Sequence, residues 1–567
     1  MSRNSVKIAT AVALSAGLVF SVSACSSSSS KKPAVQATTK KSTQNDINAQ
    51  PVSALKQGGT FNDATDQYST QWNSNNAESQ NELSIAQTEG PLLPQLFTTD
   101  AAAVFTANPD FLTSATVATV GGKQVTTYTL NPKAHWSDGT PITWKDFQVN
   151  WQMQNGTNPK INATSTAGYQ QIESVVQGKD QFQAVVTYKT PYAEWKGLFF
   201  PFYPASQIGT VSGWENSYKN KIPVTAGPFK IKSMNAKTQV VTEVPDPNWW
   251  GAKPVLDTIN FRTLDASATP GAFASGEIDS IDIGPSIAIY KQVKQVANTS
   301  VRVAYGSNWR QAVINTKSPN LTDQNVRQAI FQALDRSAIA KGDLTGLPWV
   351  VKPLNSHFLV DGTEGYKDNA GVLGVYDPKA AEAKLDAAGW KTGSDGYRQK
   401  DGKDLAITLT IPTGTPVATQ EAAAMTAMLK VIGVKLATTS LDGTAFFDAL
   451  NAEKFDITVF SATSLPPFLP LGNESANLYA PNKANAGANI SQAGSPELDA
   501  LLTKTGQDTD TTQYYADMNA ADALAWQEAS YLPLYQRPSI FGTKAGLANF
   551  GAFGNQTTDW TKIGWVK

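Results

Sequence analysis

One cysteine, Cys25, occurs in 567 residues, so no intrachain disulfide can brace this fold, and its stability has to come from a buried core. A chain of this length can supply that core, divided among two or three domains. The charge is nearly balanced, with 46 basic and 47 acidic residues, and no long basic run lies outside the first 57 residues. That excludes a nucleic-acid backbone as the partner. Beyond the N-terminal leader no apolar stretch approaches the roughly 20 residues of a membrane span, and no repeat of about 20 to 50 residues is present. The histidines are His135 and His357 only, which rules out a His-rich zinc site. His135 adjoins Trp136 in a turn and reads as a surface or packing residue. There is no Gly-x-x-x-x-Gly-Lys phosphate loop and no Gly-x-Ser-x-Gly elbow.

Cys25 ends an ordered series of segments. Arg3 and Lys7 form a short positive region, Ile8 to Phe20 an apolar core, and Val22-Ser23-Ala24 a run of small residues before the cysteine. This order reads as a secretory signal peptide over 1–24, whose core is too short to span a bilayer. The Val-Ser-Ala-Cys ending resembles the lipobox of bacterial lipoproteins. The resemblance implies a mature chain that starts at an acylated Cys25 and is held by lipid at the extracytoplasmic face of the cell membrane. Two or more acyl chains make such an anchor durable. Residues 25–57 are rich in Ser, Thr, Lys, Gln and Ala and offer little apolar surface to offset the entropy of ordering, so they read as a flexible stalk.

From Gly58 onward strand signals begin. Thr116 to Val120 and Gln124 to Leu130 flank Gly121-Gly122-Lys123, which suits a tight hairpin. Thr143 is placed to cap a helix whose third residue is Asp146, a variant of the capping box, and Phe147 and Trp151 fall on one face as core. The C-terminal half alternates helix and strand. Asp377-Pro378 and Ser495-Pro496 are cap-and-proline starts, with Gly389 and Gly506 as stops. Between them the pattern predicts strands at Leu405–Ile411, Val434–Leu441 and Phe455–Phe460, and helices at Thr419–Ile432 and Phe446–Ala452. Val326, Ile330, Ala333 and Leu334 form a stripe behind a Thr322 or Asp323 cap. The class is α/β.

Several of these segments, in order, resemble the extracytoplasmic solute-binding proteins of the oligopeptide, dipeptide and nickel class that serve ABC importers. The pieces are Trp136-Ser137-Asp138-Gly139-Thr140-Pro141 with Asp146-Phe147, Ala226-Gly227-Pro228-Phe229, Pro247-Asn248-Trp249-Trp250-Gly251 and Gly276-Glu277-Ile278-Asp279. Asn315-Thr316, Val326-Arg327-Gln328-Ala329, Tyr376-Asp377-Pro378, Ala388-Gly389-Trp390 and Leu532-Pro533-Leu534-Tyr535 complete the set. The resemblance implies a two-lobed periplasmic-binding-protein-like fold with a hinge and an inserted domain. By analogy lobe I takes 58–93, 223–308 and 531–567, the insert 94–222 and lobe II 309–530. It also implies capture without chemistry or cofactor, in which an oligopeptide or other small polar solute is enclosed and handed to separate permease and ATPase subunits.

Family members that grip a peptide amine carry an aspartate in the loop after the strand equivalent to Phe455–Phe460. Here the loop reads Ser461-Ala462-Thr463-Ser464-Leu465-Pro466-Pro467, without an acid. The segments that leave family strands at the cleft nominate Tyr68, Gln71, Trp72, Asn73, Trp309, Arg310, Ser461, Thr463 and Ser464 as ligand contacts. Tryptophan can stack on flat groups and Arg310 can pair with a carboxylate; core packing and a structural ion pair are the competing readings. An oligosaccharide is the alternative solute, and a tethered scaffold or signalling receptor that feeds no importer is another class. A secreted hydrolase using two carboxylates is a further alternative. Ser53-x-x-Lys56 with Lys391-Thr-Gly and Lys504-Thr-Gly formally matches penicillin-binding enzymes, but Ser53 lies in the predicted stalk.

Overall fold

Gly121 and Gly122 both take positive φ, at 59° and 80°, a backbone that only glycine adopts freely. They turn the chain between the paired strands Leu112–Val120 and Lys123–Leu130. With Gln183–Tyr188 and Ile172–Gln177 these strands form an antiparallel four-stranded sheet. The helix Trp144–Gln154 covers it, started by the predicted capping box: the Thr143 N–H donates to Asp146 Oδ2 at 2.8 Å. Phe147 is fully buried, and Trp151 packs against the same core. The Trp136 ring, 1 % exposed, stacks on Phe202 in this body.

The computed structural model describes residues 44–79, 82–462, 469–481 and 489–567. Cys25 and the leader lie outside these residues. Among the described residues no helix is long and apolar enough to cross a membrane. A second four-stranded sheet orders Thr60–Thr65, Thr258–Thr263, Val240–Pro245 and Phe229–Asn235, the first pair parallel. Phe61, Phe229, Phe261 and Trp214 build its core. The segment read as a stalk departs from that expectation between 44 and 57. Leu55 and Lys56 pair with Val566 and Trp565, Asp46 bonds to the Ala552 backbone, and Leu55 is buried. The isolated leucine of a polar tract found its partners in the last strand of the chain, a distance no local pattern reports.

The third sheet has six strands in the order Ser280–Asp282, Tyr531–Lys544, Thr299–Ile314, Ile457–Ala462, Ala406–Pro412 and Lys435–Leu441. Parallel pairs at its far end carry the helices Pro416–Val431 and Gly443–Asn451, so the predicted alternation forms with ends shifted by at most three residues. Asp377 Oδ1 accepts from the Ala380 N–H at 3.0 Å and Ser495 Oγ from Leu498 at 3.3 Å, and Asp323 caps the striped helix Gln324–Ala333. The helix from Pro496 continues through Gly506 to Gln507. Gly506 is thus not the stop.

Two long strands, Thr299–Ile314 and Tyr531–Lys544, run from one end of this sheet to the other. One half pairs with Ser280–Asp282 beside the second sheet, and the other half with Ile457–Ala462 of the α/β body. Their register slips in the middle: Tyr305 faces Pro538 and Trp309 faces Gln536, four residues against two. A bulge of this kind bends a ladder. Gly306 sits in it because a Cβ there would lie 2.5 Å from the Arg537 carbonyl oxygen, and its own carbonyl accepts from Gln536 Nε2 at 2.7 Å. These are the strands in which the hinge of the family fold is expected.

One buried acid in the first lobe gives a testable result. Glu243 is fully buried and neither carboxyl oxygen has a hydrogen-bond partner among the described residues. Burial, with the nearby Glu89 adding to it, pushes its pKa well above 4.5. Glu89, bonded to Tyr203 Oη at 2.8 Å, is raised by burial too. The folded chain therefore keeps protons that the unfolded chain releases, and stability falls as pH rises above the ordinary carboxylate range until these groups ionise. Glu243→Met is expected to raise the melting temperature at about pH 8 by about 2–4 °C and to flatten the alkaline decline. A calorimetric pH profile identical to the parent's would refute this.

Candidate functional site

Two cavities flank the hinge. The larger, about 440 Å³, is walled by Asp63 and Asp66 after the first strand of the second sheet, Ser280 and Asp282, Phe541 of the hinge, and Phe550, Phe553 and Trp560 near the C-terminus. The other, about 410 Å³, is walled by Ala102–Phe105, Ala193–Gly197, Leu359, Leu469, Asp508, Tyr514 and Tyr515. Both are of ligand-binding size. They share Phe105 and Lys196 as walls, which places them side by side.

The larger cavity mixes aromatic faces with carboxylates. Asp63 is buried, accepts from Gln87 Nε2 at 2.5 Å and from Ser280 Oγ, and burial pushes its pKa up to about 6. Asp66 and Asp282 reach solvent. Lys196, half-buried, is the basic residue common to both walls, and its ammonium sits 5.7 Å from the Trp195 ring.

In the wall of the second cavity Glu194 reaches the helix Pro470–Leu478 and Tyr514. Its Oε1 accepts from the Leu471 N–H at 2.9 Å and from Tyr514 Oη at 2.8 Å, and Oε2 accepts from the Gly472 N–H at 2.8 Å. The Ala193 N–H donates to the Gly506 carbonyl at 2.8 Å beside it. The helix Pro470–Leu478 has no capping side chain of its own. Glu194 fills that role, which the free N–H groups and dipole of a helix start favour.

The nominated residues separate into groups. Gln71, Trp72 and Asn73 are buried and line neither cavity. Gln71 Nε2 donates to the Glu215 carbonyl at 3.1 Å and Asn73 Nδ2 to Trp214 at 3.5 Å, while Trp72 belongs to the first lobe's core with Tyr68 edge-on at 5.7 Å. They fasten the loop to residues 214–219. The chain reaches the cavity earlier, at Asp63 to Asp66. Trp309 is core, its indole N–H donating to Gln311 Oε1 at 3.1 Å. Arg310 is held by Glu421, with Nε to Oε1 at 2.9 Å and a second bond from Nη2 to Oε2, and both side chains are buried. Burial and the negative charge of Glu421 push the neighbouring Asp343 carboxyl up, and it accepts from Tyr535 Oη at 2.9 Å. Ser461 is half-buried and accepts from both Arg310 and Arg537. Thr463 and Ser464 lie outside the described residues. Neither histidine stands in a cavity wall: His135 packs on Trp250, and both ring nitrogens of His357 face acceptors, Asp522 Oδ1 at 2.6 Å and the Tyr531 carbonyl at 2.8 Å.

An α/β fold in which two long strands join separate bodies, with adjoining cavities of ligand size, fits a binding protein of the solute-capturing class. The profile of bacterial extracellular solute-binding proteins, family 5 Middle, matches residues 106–470, and the chain belongs to that family. Its members are extracytoplasmic binding proteins, not enzymes. The oligopeptide-binding protein OppA of Mycobacterium tuberculosis is 34% identical over 537 residues, 93% of this chain and 88% of that protein. Among solved structures, a periplasmic EDTA-binding protein, EppA, superposes with TM-score 0.80 at 24% identity, over 94% of this chain and 100% of that one. The Bacillus subtilis oligopeptide-binding protein AppA, in complex with a nonapeptide, superposes with TM-score 0.69 at 20% identity, over 90% and 100%.

Proposed function

We propose that this chain captures oligopeptides between its lobes and delivers them to the permease and ATPase subunits of an ABC importer, tethered by lipid on Cys25. The observation that carries the reading is the pair of adjoining ligand-sized cavities that share Phe105 and Lys196 as walls, in a chain whose OppA relative is alike over nearly the whole length. The proposed moving units are lobe I with its insert, taking 58–308 and 531–567, and lobe II, taking 309–530. Capture stabilises the closed arrangement because the solute binds it better than the open one. With no acid in the stretch Ser461 to Pro467, an amine entering the larger cavity would meet Asp66 and Asp282 of lobe I instead.

A thermal-shift series on the purified protein tests this. Neutral hexapeptides at about 100 times their Kd should add about 2.7 kcal/mol to the folded state and raise the melting temperature, whereas gluco-oligosaccharides should not. A shift with the sugars alone would replace the peptide reading by oligosaccharide uptake. Mass spectrometry of Cys25 from native membranes tests the anchor, and an unacylated cysteine there would remove it.

A further inference from the structure

The N-terminal tract that reads as a stalk is bound, between 44 and 50, to the loop that walls the larger cavity. Every residue from 550 to 558 lines that cavity except Ala552, and Ala552 is the one the tract grips. The Asp46 N–H donates to its carbonyl at 2.8 Å, and its own N–H donates back to the Asp46 carbonyl at 3.0 Å. On either side Asn48 Nδ2 donates to the Leu547 carbonyl at 2.9 Å, the Gln50 N–H donates to Asn549 Oδ1 at 2.8 Å, and Asn45 Nδ2 bonds to Gln556 Oε1. The loop is fitted to this neighbour: a Cβ on Gly554 would collide with the Gln44 carbonyl oxygen, and one on Gly551 would lie 2.7 Å from the Asp46 carbonyl oxygen.

The same tract holds two further parts of the molecule. The Asp46 carboxylate accepts from Arg302 Nη1 at 3.4 Å and from the Val303 N–H at 3.2 Å, on the long strand Thr299–Ile314 just before its bulge. Gln44 Nε2 donates to the Gly362 carbonyl at 2.7 Å. The wall has little stiffness of its own, since residues 553–559 belong to neither helix nor strand. At its far end Thr99 fastens it, with the Thr99 N–H donating to Thr557 Oγ1 at 2.8 Å and the Thr557 N–H to the Thr99 carbonyl at 3.0 Å. Phe553, Asn555 and Gln556 line the cavity between these two ties, and it is the Asp46 tie that fixes them to the long strand. A wall held in place beforehand spares a ligand the cost of ordering it.

We propose that residues 44–50 are a strap belonging to the binding site, with Asp46 as its positioning residue: it holds the wall 550–558 against Thr299–Ile314 in the arrangement that meets the solute. This rests on the peptide-capture reading and adds to its site a segment whose composition reads as stalk. The strap acts through the wall and not by touching the solute.

Calorimetric titration of the full chain with neutral hexapeptides, well below the melting temperature of every variant, tests this. The triple variant Gln44→Ala, Asn45→Ala, Asp46→Ala is expected to bind about 10-fold more weakly than the parent, because the peptide must then order the wall itself. Asp46→Asn, which keeps an acceptor for the Val303 N–H, should stay within about 3-fold of the parent. Hydrogen exchange supplies a readout that needs no ligand. The Gln556 and Thr557 amides bond to Phe553 and Thr99 rather than to the strap, and in the triple variant they should exchange about 10-fold faster as the wall loosens. If the triple variant melts earlier but binds within about 2-fold of the parent, or if those two amides exchange at the parent's rate, the strap is only a structural tie and the assignment is overturned while peptide capture stands. If the parent binds none of the hexapeptides, the capture reading falls and the assignment falls with it. Should the triple variant not fold, Asp46→Ala against Asp46→Asn decides by the same two readouts.

Discussion

Glu194→Ala is expected to weaken solute binding about 100-fold while leaving the melting temperature of the unliganded protein within about 2 °C of the parent's. The carboxylate lies in the stretch proposed to move with lobe I, and its three donors lie in the stretch proposed as lobe II: the N–H groups of Leu471 and Gly472 and the Tyr514 hydroxyl. On the capture reading closure is expected to bring these together, so that their loss is felt by the closed state. Hydrogen bonds to a charged group contribute about 1.5–3 kcal/mol each, and losing the set leaves buried donors unpaired. A net penalty of about 3 kcal/mol in the closed state is about 100-fold in Kd. Gln is a poor substitute, because its NH2 would face an N–H donor. Gly472→Ala tests the same seam from the other side, since its Cβ would fall 2.7 Å from Glu194 Oε2. Calorimetry gives the affinity, and small-angle scattering with and without peptide gives the closure. Unchanged affinity in both variants would show that this seam does not respond to capture.

Much of the fold is legible because its signals are local. The Gly121-Gly122 turn, the Thr143 and Asp146 box and the Asp377-Pro378 start each need fewer than about six neighbouring residues, and each forms. The helix end at Gly506 was misread for a local reason as well. That glycine lies in an ordinary helical stretch, and its carbonyl is useful to Ala193 of the insert.

The site was legible only in outline. The hinge strand Tyr531–Lys544 is marked by a family motif, but which side chains face the cleft depends on register and on partners far away in the chain. Gln71 and Asn73 look like ligand groups until residues 214–219 are laid against them. Arg310 looks free until Glu421, 111 residues on, is laid against it. Asp282 and Phe541 had a signal available. The Gly276–Asp279 and Leu532–Tyr535 motifs lie a few residues before them, and counting in twos from the motifs along each strand would have named the cleft face.

Arg310 and Glu421 provide the sharper test of whether Arg310 serves the ligand. Arg310→Met is expected to destabilise the folded protein by about 3–5 kcal/mol, the cost of leaving one member of a buried ion pair alone. The environment makes this severe. Glu421 is fully buried, and Asp343 beside it is already held toward its protonated form by burial and by the Glu421 charge, so removing the guanidinium leaves two acids and no cation in one packed site. Arg310→Met combined with Glu421→Met should recover most of the loss, because a buried pair replaced by apolar groups of similar size is often neutral or better. Denaturant melts of the parent, both single variants and the double variant give the coupling energy directly. In the double variant Ser461 keeps its bond from Arg537, and peptide affinity should stay within about 3-fold of the parent's. A double variant that folds well and binds no peptide would make Arg310 a ligand residue after all.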